Sequence, residues 1–213
     1  MSGEDRIKSK LYVVVETAAA APERLLAALA AADIAAVLIR PAPGSALSAG
    51  LVQPLVKAAQ DKGAAALLEN DAELVRVVKA DGVHLGPRET IVADFEEARS
   101  ILGNRYIAGA DAGSVRDDAM TLAELGADYI AFSVEGAGSM DERSERAAWW
   151  AEIFQVPCVA LDVSEAVDAV ALQHANVDFL GLTLPGTEAP AAAAERVKAI
   201  AEVLSADDAQ ARA

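Results

Sequence analysis

The amino-acid sequence predicts a single-domain α/β protein with the (β/α)8 architecture of a TIM barrel. Eight short apolar or β-branched runs alternate with eight amphipathic stretches along the 213 residues. Apart from Glu16, Arg40 and His84 the runs are apolar, which is typical of parallel strands covered on both faces. Aromatic residues make up only 4% of the chain and alanine is abundant, which suits helices packed closely on a sheet. Eight βα units in so short a chain match a minimal barrel, and an open, doubly wound sheet is the alternative.

Each predicted element follows from a local signal. Strands are predicted where apolar and β-branched residues are densest, at 11–16, 36–40, 64–68, 82–85, 106–109, 129–132, 158–161 and 179–182. Helices are predicted where apolar residues recur at helical spacing, at 22–32, 48–62, 71–79, 92–102, 115–125, 142–154, 164–174 and 189–204. Pro22 and Ser164 lie where helices should begin, and Gly63, Gly103 and Gly126 lie just past expected helix ends.

The predicted barrel domain spans residues 11–204. Residues 1–10 precede it as an N-terminal extension, and the polar tail at 205–213 is predicted to fray. In the sixth predicted helix, Trp149 and Trp150 cannot both point into the core, because adjacent helix positions are about 100° apart. The outer tryptophan could lie at a subunit contact, in which case the protein is a homo-oligomer. Alternatively, it is simply partly exposed to solvent.

Charge and composition exclude several classes of function. The formal net charge is -15, so no surface should offer the positive field that nucleic acid requires. No apolar run approaches the roughly 18 to 20 residues needed to span a bilayer, and the first residues have no signal-peptide hydrophobic region. A cytoplasmic protein without membrane partners is expected. The single cysteine, Cys158, lies in an apolar run and is predicted to be buried.

Nucleotide-binding motifs are missing from the sequence. Residues 16–21, after the first predicted strand, contain no glycine and so do not match Gly-x-Gly-x-x-Gly, which disfavours a nicotinamide cofactor. No Lys-containing P-loop, zinc motif or Gly-x-Ser-x-Gly elbow appears either.

Candidate functional residues lie where the predicted strands end, because barrel active sites are built at the carboxyl ends of the strands. The polar residues at these positions are Glu16, Thr17, Arg40, Glu69, Asn70, Asp71, His84, Arg88, Glu89, Asp111, Ser133, Glu135, Asp162 and Thr183.

Asn70, Asp71 and Glu89 are the most suggestive subset, since carboxylate and amide oxygens on adjacent loops could hold Mg²⁺. The alternative for Asp71 is that it caps the following helix. Arg40 could hold a phosphate, or it could form a salt bridge to one of these carboxylates. His84, alone in a buried strand, is predicted to be a hydrogen-bonded scaffold residue, with a role in lining the pocket as the alternative. His174 is expected to be a favourable charge at a helix C-terminus.

Three motifs resemble the thiamine phosphate synthase family. They are Asn70-Asp71, Ala-Asp-Gly-Val-His-Leu-Gly at 80–86 and Gly-Ala-Asp-Tyr-Ile at 126–130, with matching order and spacing. The similarity is clear from about residue 11 to residue 130. The resemblance implies a (β/α)8 barrel that joins hydroxymethylpyrimidine diphosphate to a thiazole phosphate and releases pyrophosphate with the help of magnesium.

The resemblance also implies roles for individual residues. Asn70 and Asp71 match the Asn-Asp pair that contacts the pyrimidine diphosphate and magnesium. Glu89 falls where the family has its second magnesium-binding aspartate, and Arg40 matches the arginine of a Gln-x-Arg-x-Lys strand end. Weaker candidates for substrate binding are His84, Asp111, Ser133, Glu135 and Asp162.

The sequence departs from the family pattern mainly where phosphates should bind. Leu38 and Ala42 replace the glutamine and lysine of the strand-end motif, and Asp111 replaces a serine. Residues 133–138 replace a Thr-x-Thr-Lys loop, and residues 160–163 replace Ala-Ile-Gly-Gly. Each lost phosphate contact is worth roughly 1.5 to 3 kcal/mol.

Three functions are therefore compared. The first is a divergent thiamine phosphate synthase. The second is a synthase-like barrel that has lost the transfer reaction and binds a less charged ligand or has a regulatory or interaction role. The third, the related thiazole tautomerase, is disfavoured because Gly113 stands where that enzyme should have a histidine.

Overall fold

Eight parallel strands form a closed barrel in the computed structural model, which describes residues 8–211. The strands follow one another around the barrel in chain order, so the predicted (β/α)8 architecture is confirmed and the open sheet is excluded. Their bounds are β1 Lys10–Glu16, β2 Ile34–Arg40, β3 Ala65–Glu69, β4 Gly82–Leu85, β5 Ile107–Asp111, β6 Tyr129–Phe132, β7 Cys158–Ala160 and β8 Phe179–Leu184.

Helices cover the outer face of the barrel. Their bounds are α1 Ala21–Ala31, α2 Ala49–Gln60, α3 Ala72–Val78, α4 Ile91–Leu102, α5 Arg116–Glu124, α6 Val134–Ala137, α7 Met140–Ile153, α8 Ala166–His174 and α9 Pro190–Ala211. A 3₁₀ turn at Gly103–Arg105 precedes β5. The one-turn helix α6 is not among the predicted elements, and it lies in a loop at the carboxyl end of the barrel.

Side chains alternate along each strand between two apolar clusters. Val13 and Val15 of β1 belong to the larger cluster between the sheet and the helices, whereas Tyr12 and Val14 belong to a smaller cluster inside the barrel. This alternation has a period of two residues, as in any strand. It therefore fixes which residue at the end of each strand faces the barrel axis.

A layer of hydrogen-bonded side chains crosses the barrel interior. The hydroxyl of Tyr129 lies 3.1 Å from the hydroxyl of Tyr12 and 2.9 Å from Nδ1 of His84. The Tyr129 ring passes over Gly109 of the neighbouring strand, where a Cβ atom would overlap the ring. Glycine at 109 therefore makes room for Tyr129.

An apolar cavity of about 340 Å³ lies below this layer, at the amino-terminal end of the barrel. The rings of Tyr12 and Tyr129 face it, together with residues near the starts of other strands, such as Ile107 and Phe179. The polar residues predicted for the site lie above the layer, at the opposite end of the strands.

Both ends of the described chain extend the predicted domain. Ser9 is buried and its Oγ donates to the carbonyl of Val177 at 2.6 Å, so the last part of the predicted extension belongs to the barrel. At the other end α9 continues to Ala211, where a frayed tail is predicted from 205 onward. Asp207 holds this last part of the helix against α8, since its carboxylate accepts from Gln173 Nε2 at 2.8 Å and pairs with His174 Nε2 at 2.9 Å. Residues 1–7 and 212–213 of the predicted termini lie outside the described residues.

The two adjacent tryptophans differ in burial, as predicted. Trp150 is fully buried, and Trp149 is half-buried with the Arg116 guanidinium 4.5 Å from its ring centre. Cys158 is buried, which confirms that prediction. None of the helices described is both long and apolar enough to cross a membrane.

Candidate functional site

The carboxyl ends of the strands form a polar rim around the barrel axis. Period-two alternation from the interior cluster points the following residues inward at this end: Glu16, Arg40, Glu69, His84, Asp111, Ser133 and Thr183. Asp162 follows β7 at the same end. The sequence thus placed the candidate residues at one end of the barrel, and the structure groups them there.

Arg40 and Glu69 end the neighbouring strands β2 and β3 and form an ion pair. Arg40 Nε donates to Glu69 Oε1 at 2.8 Å, and both side chains are largely buried. Burial lowers the pKa of Arg40, but the negative charge of Glu69 raises it, and Asp162 and Glu135 add to this effect. The net result is a pKa above the ordinary value. The salt-bridge alternative for Arg40 is therefore correct, but its partner is Glu69 rather than Asp71 or Glu89.

Asn70 joins the loops that follow β3 and β4. Its backbone is left-handed, with φ 57°, and its Oδ1 accepts from the backbone N–H of Gly86 at 2.9 Å and from Nη2 of Arg88. Arg88 also donates through Nε to the carbonyl of Gly86 at 3.1 Å and through Nη1 to Asp94 at 3.3 Å. Arg88 was predicted only as a polar residue near a strand end, yet its guanidinium is a second cation on this side of the rim.

Asp71 precedes α3 and caps it. Its Oδ1 accepts the backbone N–H of Leu74 at 2.9 Å, so the capping alternative describes this oxygen. Glu89 is exposed and is not among the residues lining the groove beside Asp71. Within residues 8–211, no three Asp, Glu, His or Cys side chains are grouped so that they could hold a metal ion. Magnesium binding by Asp71 and Glu89 stays a prediction.

His84 is a buried, neutral group below the two arginines. Burial, followed by the nearby charges of Arg40 and Arg88, lowers its pKa to about 3. Its Nδ1 shares the hydrogen bond with Tyr129, which agrees with the predicted scaffold role. Its Nε2 is buried without a hydrogen-bond partner.

Asp111 ends β5 as a fully buried carboxylate. Its Oδ1 accepts the backbone N–H of Gly113 at 2.9 Å, and its Oδ2 accepts that of Ser133 at 3.1 Å. Burial raises the pKa of Asp111 to about 6, the hydrogen bonds from Ser133 and Gly113 oppose the rise, and the charge of Asp162 adds to it. Asp111 therefore fixes the loops after β5 and β6 to each other.

Asp162 fixes the same region from the other side. Its backbone is left-handed, with φ 62°, and its Oδ2 accepts the N–H of Val134 at 2.9 Å. Ser133 caps α6 by accepting the N–H of Gly136 at 2.9 Å, and Glu135 on the same turn is exposed. The rim therefore has two sides: arginines on the β2–β4 side and carboxylates on the β5–β7 side.

Two residues of this arrangement had no role predicted from the sequence. Glu69 was a strand-end candidate without a stated partner, and Tyr129 was only part of a family motif. The signal for Tyr129 was available, because alternation with Ala131 in β6 places it inward, and the glycine at 109 in β5 leaves it space.

The fold and the rim define a single-domain (β/α)8-barrel protein with a polar site at the carboxyl ends of its strands. Residues 11–183 match the family model described as thiamine monophosphate synthase. The chain belongs to this family.

Curated relatives and a solved structure agree with that assignment. The thiamine-phosphate synthase of Rhodospirillum centenum is 34% identical over 186 residues, which cover 81% of this chain and 86% of the relative. That of Hyphomonas neptunium is 35% identical over 155 residues, which cover 69% of each chain. Thiamine phosphate pyrophosphorylase from Pyrococcus furiosus superposes with a TM-score of 0.74 at 20% identity, over 95% of this chain and 98% of that one, which supports the fold.

Proposed function

We propose that the protein is a transferase that joins hydroxymethylpyrimidine diphosphate to a thiazole phosphate and releases pyrophosphate. Family membership across the barrel supports this reaction, as do relatives named for it. In this proposal the protein works in the cytoplasm on small-molecule substrates, without nucleic acid or membrane as a partner.

The observation that carries the proposal is the pair of arginines around His84. Arg40 is bound to Glu69, which lies opposite His84 in the register of β3 and β4. Arg88 is bound to Gly86 and Asn70 in the loops that follow the same two strands, so both cations lie near the end of β4. Guanidinium groups suit phosphate oxygens because they donate several hydrogen bonds in one plane. We propose that the diphosphate binds there, with Asn70 holding Arg88 in position.

The rim also suits the charges that develop during transfer. As the bond from the methylene carbon to the diphosphate oxygen breaks, the oxygen keeps the electron pair and the carbon becomes positive. Arginines on one side favour the departing pyrophosphate, and carboxylates on the other favour the positive pyrimidine fragment until the thiazole nitrogen attacks it. His84 stays neutral throughout and, through Nδ1, is hydrogen-bonded to Tyr129.

Magnesium, which the family resemblance assigns to Asp71 and Glu89, remains a proposal. None of the steps above depends on the ion. A bound ion would need oxygens from the diphosphate as ligands, as is usual for Mg²⁺ at phosphate sites.

The experiment is to incubate the purified protein with both substrates and Mg²⁺ and to follow thiamine phosphate formation. Arg40→Gln should weaken the binding of the diphosphate and slow transfer by about tenfold or more, since a charge-assisted hydrogen bond contributes roughly 1.5 to 3 kcal/mol. Arg105→Gln, on the exposed 3₁₀ turn, is the matched control and should behave like the wild type. Turnover no higher than in a protein-free reaction at millimolar substrate would reject the proposal.

A second function is favoured by a specific observation: Asp111 and Asp162 already occupy backbone N–H groups of the rim loops. In this case the barrel has lost transfer and binds a less charged ligand, or acts in regulation or interaction. A thermal-shift screen separates the two functions, because any ligand that binds only the folded protein raises its melting temperature. Stabilisation by an unphosphorylated pyrimidine or thiazole without transfer would support the second function.

A further inference from the structure

The amino-terminal end of the barrel contains a cavity because two strands carry small side chains there. The interior of a (β/α)8 barrel is normally filled by layers of bulky, branched side chains. Here the inward positions near the starts of β2 and β3 are Ala36 and Ala65, and both line the cavity. Their small volume leaves about 340 Å³ unfilled between the walls. The sequence therefore keeps open a space that a barrel usually closes.

The walls of this cavity are apolar, and solvent reaches them. The hydroxyl groups of Tyr12 and Tyr129 lie 3.1 Å apart in the layer that closes the cavity from above, and the rings of both residues line it. Ile107 and Phe179 line it at the strand starts and are only partly buried. Removing such apolar surface from water favours the binding of an apolar ligand.

The volume of the cavity sets the size of that ligand. Pockets that bind small molecules have volumes of about 300 to 1,000 Å³, and most of their lining is apolar. A protein cavity of about 150 Å³ binds one benzene ring. At about 340 Å³, this cavity is roughly twice as large and suits two fused aromatic rings.

A lysine at the mouth of the cavity sets the charge of the ligand. Lys10 begins β1 on the same face as Tyr12, lies opposite Phe179 in the register and is exposed. Among the residues that the structure describes, no carboxylate pairs with its ammonium group. The other charged residue of the lining, Asp128, is paired with Arg99 Nη2 at 2.9 Å. The mouth therefore offers one uncompensated positive charge.

From these features we propose that the cavity is a ligand-binding site separate from the rim, and that it takes a bicyclic aromatic carboxylate. The two rings occupy the apolar space below Tyr12 and Tyr129, and the carboxylate pairs with Lys10 at the mouth. The inference does not depend on the proposed transferase function, because the layer of Tyr12, Tyr129 and His84 lies between the cavity and the rim.

The test measures the binding of 2-naphthoate and of its neutral amide, 2-naphthamide, to the full chain by calorimetry. One naphthoate should bind per chain with a Kd below about 1 mM. The amide should bind about two- to fivefold more weakly, since a solvent-exposed ion pair contributes about that factor. Absence of saturable naphthoate binding would overturn the inference. Equal affinities for the two probes would show that the class of ligand is wrong.

Lys10→Gln tests the ion pair. It should weaken naphthoate binding by the same factor of about two to five and leave the affinity for the amide unchanged. Lys62→Gln is the matched control, because Lys62 is exposed at the same end of the barrel, in the loop that leads into β3, and does not line the cavity. An equal effect of the two substitutions would mean that only the net charge of the protein matters.

Ala36→Leu tests the location of the rings. The larger side chain occupies the cavity, so the affinity for both probes should fall by about tenfold or more. Ala65→Leu fills the same space from the neighbouring strand and serves if the first variant fails to fold. If either leucine variant folds and still binds naphthoate as the wild type does, the probe lies elsewhere and the inference is wrong.

Discussion

The carboxylate of Asp111 accepts the backbone N–H of Ser133 at 3.1 Å across two neighbouring strand ends, and no part of Asp111 is exposed to solvent. One ionisable side chain thus organises the loop that follows β6. Protonation of this carboxyl group should therefore change the free energy of unfolding of the barrel.

Asp111 should make stability fall as the pH rises through its titration. Burial raises its pKa to about 6 from 3.8. The folded protein therefore holds this proton more tightly than the unfolded chain does. The contribution is fully present below pH 3.8 and is lost as the pH rises through about 6.

Urea unfolding between about pH 4 and pH 7 measures this effect by comparing the wild type with Asp111→Asn, which cannot titrate. The wild type should lose on the order of 1 to 3 kcal/mol of unfolding free energy relative to the variant. A difference that stays constant with pH would show that Asp111 has an ordinary pKa.

Tyr129→Phe should destabilise the protein by about 1 to 3 kcal/mol, because it leaves Nδ1 of His84 and the hydroxyl of Tyr12 buried without their shared partner. Chemical denaturation measures the change. Tyr106→Phe removes the same group outside the barrel interior, and we expect a change of no more than about 0.5 kcal/mol. Equal effects at the two positions would contradict a special role for the tyrosine layer.

Gly109→Ala should lower the free energy of unfolding by about 3 kcal/mol, because the added methyl group overlaps the Tyr129 ring and forces it from its position. Near-ultraviolet circular dichroism should change as the tyrosine environment is lost. Gly50→Ala is the matched control: it lies in α2 with nothing within 4 Å of the new Cβ, so stability should rise by about 0.4 to 1 kcal/mol. A neutral effect at 109 would mean that the ring does not lie over this strand.

Two substitutions at Asp71 separate helix capping from metal binding. Serine also caps helices, so Asp71→Ser should retain the wild-type free energy of unfolding. Asp71→Ala should lower that free energy by about 1 kcal/mol. Both remove the carboxylate, and the family resemblance predicts that both abolish the magnesium dependence of transfer. Unchanged magnesium dependence in the stable serine variant would show that Asp71 is a cap and no metal ligand.

Strand positions were predictable because the barrel buries both faces of its strands. Runs such as 11–16 and 36–40 are apolar up to their last residue, and the structure places β1 and β2 there with their ends at Glu16 and Arg40. Once the strands are known, the alternation of side chains between the two faces of a strand identifies the residue that points into the barrel at its carboxyl end. The location of the candidate site therefore followed from the sequence.

Pairing between strand ends was not predictable, because it depends on register. Arg40 meets Glu69 since Ile39 lies opposite Leu68, a relation that no single run of sequence contains. The helix α6 was missed because four residues, one of them glycine, are too few to show helical spacing. Asp111 was predicted as a weaker substrate-binding candidate that replaces a serine. Its structural role was not predictable, because its hydrogen bond to Ser133 joins two different loops.

The tyrosine layer gives the barrel two compartments that can be altered independently. Tyr12, Tyr129 and His84 separate the polar rim from the apolar cavity at the other end of the strands. Larger apolar side chains at Ala36 or Ala65, which line that cavity, would fill empty space on the far side of the layer from any bound substrate. The protein is therefore a scaffold whose thermal stability and ligand preference can be engineered separately.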